Sequence, residues 1–383
     1  MQQLHSKWFS FWKKSRKSMV IKEANKCYIY DSHDNEFIDT SMGSGAQIIG
    51  HNNNLIKKII NQVHKGTIYT IPNCYTEEVN NYLYKYFNPD LDEKYVFCNS
   101  GTEANMRAIR LARAYTNKEK IAKFHGGWHG GLDGFIEGCG VPEATKNLIT
   151  TLPYNDDKCL KKITNELAAV IIEPVQGSNP RSDIGPFLHK VQDKCKENNV
   201  LLILDEVMTG FRLSALGGRG IFNINPDIVT YGKVLGGGLP IGALGAKPHI
   251  METANVFYGG TFSANPLTMA ASKSILKTII NSKHIKYSKL KTRSQLLRDE
   301  LNDLFLNKKK SMRIIGCGPI NRIIFTDKPI KNREDRDKFE NVSLQKAFYE
   351  RLKQNGVFIN TNGIIHLSMC HTRKIIYKII NAI

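Results

Sequence analysis

Residues 168–205 read AAVIIEPVQGSNPRSDIGPFLHKVQDKCKENNVLLILD, and this stretch decides the fold. Ala168 to Val175 is an apolar run of strand length. Phe187, Val191 and Cys195 then recur at helical spacing, and Val200 to Leu204 is the next apolar run. Ile228 to Tyr231 supplies a third strand. Strand, helix and strand at these separations predict an α/β chain with a parallel sheet flanked by helices. The alternation extends from about residue 95 to 245. Ligands of such sheets lie beyond the carboxyl ends of the strands, so residues that end strands carry the chemistry.

Outside that block the pattern changes. Ile275 to Leu304 reads as one long helical stretch, and the tail reads as short strands among charged loops. The expected organisation is a large domain over residues 46–275. Residues 1–45 and 276–383 join into a smaller α+β domain. No internal repeat interrupts this plan.

With 383 residues the chain can bury a large core, and its 41% apolar content fits a globular protein. No run reaches the roughly 18–20 apolar residues of a membrane span. In the opening segment Trp8, Phe9, Phe11 and Trp12 form an apolar knot broken by Ser10, too short for a secretory signal. No acidic residue precedes Glu23, which leaves an organelle transit peptide as the alternative. The eight cysteines form no C-x-x-C pair, so reduced thiols in the cytoplasm are expected, with no zinc or redox motif. A net charge of +19 raises the question of nucleic acid. The excess is lysine spread from Lys7 to Lys378, without a nucleic-acid-binding motif, and is read as solvated surface.

Four local patterns stand at the strand ends. Asn99-Ser100-Gly101-Thr102-Glu103 precedes an apolar helical stripe at Ala104, Ala108, Leu111, Ala112 and Tyr115, with Arg107, Arg110 and Arg113 on another face. Ser100 and Glu103 have capping-box spacing, and a helix start with Gly101 and the Thr102 hydroxyl suits a phosphate. The plain alternative is an ordinary capped helix. Asp205 ends the VLLIL run, where it can hold a protonated ring nitrogen or form a structural ion pair. Lys233 follows the third strand and runs into Gly236, Gly237 and Gly238. A desolvated lysine has a lowered pKa, and its neutral amine can attack an aldehyde. Val234 after Lys233 excludes a G-x-x-x-x-G-K-[ST] loop. In His125-Gly126-Gly127-Trp128-His129-Gly130-Gly131 the indole is a candidate stacking plate. The i, i+4 histidines suggest a metal pair only on a helix, which the glycines disfavour, so no metal is expected.

Taken in order, these stretches resemble the class III, fold-type I pyridoxal-phosphate-dependent aminotransferases, and within them the glutamate-1-semialdehyde 2,1-aminomutase branch. The carriers are NSGTEANMRAIRLARAY from Asn99, GGWHGG from Gly126, EPVQGS from Glu173, DEVMTGFR from Asp205, PDIVTYGKVLGGGLPIGA from Pro226 and GGTFSANPLTMAA from Gly259. The likeness runs from about Tyr28 to Thr372. It implies a mainly parallel, seven-stranded-type sheet in the large domain and pyridoxal 5'-phosphate as cofactor. By the same resemblance Lys233 is the Schiff-base lysine and general base, and Asp205 pairs with the pyridinium nitrogen. Trp128 and Val207 sandwich the ring, and Ser100, Gly101 and Thr102 hold the phosphate. Thr261 reaches the phosphate of the neighbouring subunit, which implies a homodimer.

The chain departs from the aminomutase pattern on the substrate side. It lacks the N-terminal S-P-V-R segment, and Thr361 to Ile365 stands where that branch has F-E-A-G-F. Ser178 replaces an Asn, and the loop from Gly138 to Leu152 is short. Met208 differs from the Gln of ornithine-type relatives. Two activities on a small amino or aldehyde substrate stay open. One converts glutamate 1-semialdehyde to 5-aminolevulinate, a step of porphyrin biosynthesis. The other is transamination with a separate donor and a keto or aldehyde acceptor, such as an amino-sugar or cell-envelope precursor. An inactive scaffold of the same fold is the reading from a different class.

Overall fold

The computed structural model describes residues 19–383 apart from 52–54, 70, 88–93, 137, 254 and 282–284. The apolar knot at Trp8 to Trp12 lies outside the described residues. Three short strands come first: β1 (Ile21–Asn25), β2 (Tyr28–Asp31) and β3 (Glu36–Asp39). Then follow β4 (Lys94–Cys98), β5 (Lys120–Phe124), β6 (Ile149–Leu152), β7 (Leu167–Ile172), β8 (Leu201–Asp205), β9 (Ile228–Tyr231) and β10 (Gly242–Ala246). The last four are β11 (Arg313–Cys317), β12 (Ile320–Ile324), β13 (Val357–Phe358) and β14 (Ile364–His366).

The central sheet has seven strands in the order β4-β10-β9-β8-β7-β5-β6. Its neighbours run parallel except at β10, which is antiparallel to both β4 and β9. Every residue of β7 and β9 is buried, as strands covered on both faces require. Each buried Ile, Leu or Val there contributes about 1.5–3 kcal/mol relative to exposure. The expected helix between β7 and β8 is Gly185–Glu197, and Phe187, Leu188, Val191 and Cys195 form its buried face.

Two expectations need correction. The stretch Ile275 to Leu304 is not one helix: Pro266–Ile280 and Ile285–Asn307 are separate. Asn265 caps the first, accepting from the Thr268 N–H at 3.0 Å, so the helix begins well before Ile275. The tail also holds more helix than charged loop. Arg333–Phe339, Val342–Gln354 and Arg373–Asn381 start at the side-chain caps Asn332, Asn341 and Thr372. Buried Ile375, Ile376 and Ile379 recur at helical spacing and pin the last of them to the core.

The two chain ends meet in one sheet, of order β1-β2-β3-β13, where Val357 and Phe358 pair in parallel with Ile38 and Asp39. The Thr40 hydroxyl donates to the Phe358 carbonyl at 2.8 Å and closes the junction. A third sheet, β11-β12-β14, is antiparallel. It carries His366 toward the carboxyl edge of the central sheet, where Gly45 and Met208 lie. Among the described residues no helix is long and apolar enough to cross a membrane.

Candidate active site

Six strands of the central sheet run the same way and end at one edge, and five of them deliver a different group there. After β4 the chain turns through Asn99 and Ser100 into the helix Gly101–Thr116. Ser100 is its cap, with Oγ accepting from the Glu103 N–H at 3.2 Å. The return half of the box is displaced by one residue, because Glu103 accepts from the Asn99 N–H at 3.1 Å instead of from Ser100. The helix start therefore keeps N–H groups free to meet an anion. Ala104, Ala108, Leu111 and Ala112 are buried as expected, but Tyr115 is exposed. Arg107 is not on a solvent face. It is buried and donates to the Phe97 carbonyl at 2.9 Å, the Gly259 carbonyl at 3.0 Å and the Ser263 hydroxyl at 3.2 Å.

Gly101, Thr102, Trp128, Val207 and Lys233 line one cavity of about 180 Å³, joined by Asn105, His129 and Gly130. Gly130 is in the left-handed region at φ +98°, and a Cβ there would lie 2.8 Å from Thr102 Cα. Only glycine leaves that side of the cradle open. Trp128 is 68% exposed at the cavity mouth, with its backbone N–H held by Glu173 Oε2 at 3.0 Å. The indole is thus fixed at its base and free at its face.

Asp205 is fully buried behind the cavity. Its Oδ2 accepts from Asn105 Nδ2 at 2.8 Å and meets His129 Nδ1 at 2.7 Å, while Oδ1 accepts from the Val207 N–H at 3.0 Å. Asn105 is fixed in turn, since its Nδ2 also reaches the His129 carbonyl at 3.0 Å and its Oδ1 accepts from the Thr230 hydroxyl at 2.7 Å. The carboxylate cannot rotate without breaking this network. His125 faces Glu334 at 3.6 Å while His129 faces Asp205, so the two histidines have different partners. Among the described residues no group of three His, Cys, Asp or Glu side chains could hold a metal.

Lys233 is a non-glycine residue in the left-handed region, at φ 43°. That conformation costs about 1–2 kcal/mol, a strain that recurs at functional positions. Burial lowers its pKa from the usual lysine value, against the raising effect of the Glu173 and Asp205 charges. Glu173 moves the other way, to about 7, because burial outweighs the help of His129. Each of the two groups therefore shifts against the pull of the other's charge, because burial outweighs it.

Of the expected residues, Ser100 and Asp205 do not line the cavity themselves but adjoin residues that do, and Thr261 stands apart. It is exposed in the segment between Phe257 and Phe262, which are 80% and 61% exposed, and Arg107 anchors the backbone beside it. Sequence reasoning missed His129 as a partner of Asp205, and it missed Asn105, Thr230 and Glu173. Asn105 was detectable as a polar residue on the buried helix face. Glu173 ends the apolar run of β7 as Asp205 ends β8.

A model of class III aminotransferases matches residues 11–375. A glutamate-1-semialdehyde 2,1-aminomutase from Sulfolobus acidocaldarius is 36% identical over 363 residues, covering 88% of this chain and 85% of that protein. An omega-transaminase from Sphaerobacter thermophilus superposes with a TM-score of 0.88 at 25% identity, covering 95% of this chain and 89% of the other. A glutamate-1-semialdehyde-aminomutase from Pseudomonas aeruginosa in complex with PMP shares the fold, with a TM-score of 0.86 at 18% identity over 95% of this chain and 86% of that one.

Proposed function

This chain belongs to the class III aminotransferases and is a pyridoxal 5'-phosphate enzyme, and from that premise we propose that it isomerises glutamate 1-semialdehyde to 5-aminolevulinate. The observation that carries the reading is the convergence of Lys233 and the Gly101 helix start on one cavity, with the Asp205 carboxylate fixed behind it by the lining residues Asn105 and His129. The residues suit the cofactor: a Cβ at Gly130 would fill the cradle, and Lys233 opens into the same space.

Bound pyridoxal phosphate supplies an aldehyde for amine exchange and a ring that accepts an electron pair from carbon. Gly101 and Thr102 receive the phosphate at the positive end of the helix, with Ser100 holding that turn in shape. Val207 and Trp128 would cover the two ring faces. Asp205 would keep the ring nitrogen protonated, and Asn105 and His129 hold its carboxylate in place for that task. Burial raises the neutral share of Lys233, so its Nζ would hold the cofactor as a Schiff base and, once displaced by the substrate amine, would act as the general base of the 1,3-proton shift.

In the wild-type protein with added cofactor a visible absorbance band is expected, and in Lys233→Ala that band and turnover both vanish. A wild type without the band has no such site. A second reading, a transaminase with a separate donor and acceptor, is favoured by Ser178. Its hydroxyl donates to the Gly126 carbonyl at 2.9 Å and so is not spare for substrate. Single turnover separates the two: the aminomutase needs no added keto acid, and the transaminase stalls without one.

We also take the active unit to be a homodimer in which Thr261 reaches the partner's phosphate, supported by its exposed place between Phe257 and Phe262. The division into residues 46–275 and a smaller unit from both ends is supported by the β3–β13 pairing. A reducing cytoplasm suits eight cysteines, none of them bridged.

A further inference from the structure

His366 ends β14 and is 2% exposed, yet among the described residues neither ring nitrogen finds a partner at full hydrogen-bond geometry. Only its backbone is tied down, through N–H donation to the Thr40 carbonyl at 2.8 Å. The Ser41 backbone bears on the ring only weakly and favours its charged form. Leaving a buried imidazole unsatisfied is costly, and native structures keep such groups for a reason.

The surroundings say what the ring awaits. A Cβ on Gly45, at φ +87°, would lie 3.2 Å from His366 Nε2 and 3.0 Å from Met208 Sδ. His366 therefore faces the segment that follows Asp205 in the chain. Arg212, on that same segment, is wholly buried and has no carboxylate partner among the described residues. Its guanidinium donates to the carbonyls of Gly45 and Leu367, on either side of His366, and its Nε has no acceptor. Arg212 and Lys233 are the charges that bear on the ring, and with burial they hold the imidazole well below the usual histidine range, hence neutral. A buried cation without an anion is expensive, and so is a buried donor without an acceptor. One ligand group corrects both faults: a carboxylate.

We propose that His366 binds the carboxylate of the substrate directly, with Arg212 as the positioning residue that supplies the positive field. The proposal rests on the amino-transfer reading and names the substrate class within it, an amine or aldehyde bearing a carboxylate. It places carboxylate recognition on β14, opposite the DEVMTGFR turn.

The test uses the holoenzyme, with glutarate as an unreactive carboxylate probe followed by calorimetry. Glutamate 1-semialdehyde and 1-phenylethylamine serve as charged and uncharged reactants. In His366→Phe, glutarate affinity falls and KM for glutamate 1-semialdehyde rises, each about tenfold or more, the loss of one hydrogen bond to a charged group. The kcat stays within about threefold, and the half-reaction with 1-phenylethylamine is unchanged. His366→Gln, which keeps a donor and an acceptor, stays within about threefold of wild type in all readouts. If His366→Phe does not fold, His366→Asn takes its place, because its shorter amide loses reach and should show the same loss. Unchanged glutarate affinity in the folded variant, or equal losses with both reactants, overturns the proposal. A wild type that binds glutarate but forms no visible band with the cofactor sinks the amino-transfer reading instead, so the two failures are distinguishable.

Discussion

Replacing Gly101 by alanine places a methyl carbon 2.7 Å from Cγ1 and 2.8 Å from Cγ2 of Val207. Carbon atoms rest about 3.5–4.0 Å apart, so the overlap is roughly 1 Å on two atoms at once. Val207 cannot easily withdraw. Its branched side chain is stiff, and its N–H is bound to Asp205 Oδ1 at 3.0 Å. Overpacking of this kind costs about 1–3 kcal/mol, which taken wholly from cofactor binding is a roughly 5- to 150-fold weaker Kd. Val207→Ala removes both offending carbons and leaves only the Cβ, which would sit 3.3 Å from the new methyl. The double variant Gly101→Ala/Val207→Ala should thus recover most of the loss, with a coupling of about 1 kcal/mol or more. Spectrophotometric titration with pyridoxal phosphate and urea unfolding of the four proteins measure it. Additive effects within about 0.5 kcal/mol would refute the fitted contact between the phosphate turn and the ring floor.

Ser100→Ala removes the helix cap and should cost about 1 kcal/mol in urea unfolding, with weaker phosphate binding; no change in either means the cap is idle. Asn105→Leu strands the Thr230 hydroxyl and one Asp205 oxygen bond, so a loss of about 2–4 kcal/mol and a shifted cofactor spectrum are expected in calorimetry and absorbance. Glu173 titrates at about 7 in the folded chain and near 4.3 when unfolded. The folded state then holds more protons between those values, so its stability falls as pH rises from about 4.5 to about 7. Glu173→Gln abolishes that slope, which is worth at most about 4 kcal/mol; urea midpoints of both proteins at about pH 5 and pH 8 test it, and a pH-independent difference speaks against it.

The parts legible in the sequence are those encoded over a few residues. β7, β8 and β9 announce themselves as apolar runs, Ser100 as a cap, and Lys233 by its strand-then-glycine setting. The long-range pairings are not legible in this way. Asp205 finds His129 across 76 residues and Asn105 across 100, and no local periodicity records either contact. The burial of Arg107 is set at long range too. It shares a helix with Arg110 and Arg113, yet the carbonyls of Phe97 and Gly259 satisfy it inside. His366 gave no signal at all, because nothing around it in the chain marks a residue that becomes chemical only when β14 reaches Gly45 and Met208.

The parallel register of β3 with β13 has a consequence for synthesis on the ribosome. Ile38 pairs with Val357, 357 − 38 = 319 residues later. At about 5–20 residues per second, one edge of β3 waits roughly 16–64 s for its neighbour to be translated. Throughout that interval the β1-β2-β3 meander presents unpaired N–H and C=O groups, a template for intermolecular pairing. Stalled or C-terminally truncated chains should therefore be prone to aggregate through this edge, and holdase chaperones would find their earliest client surface there.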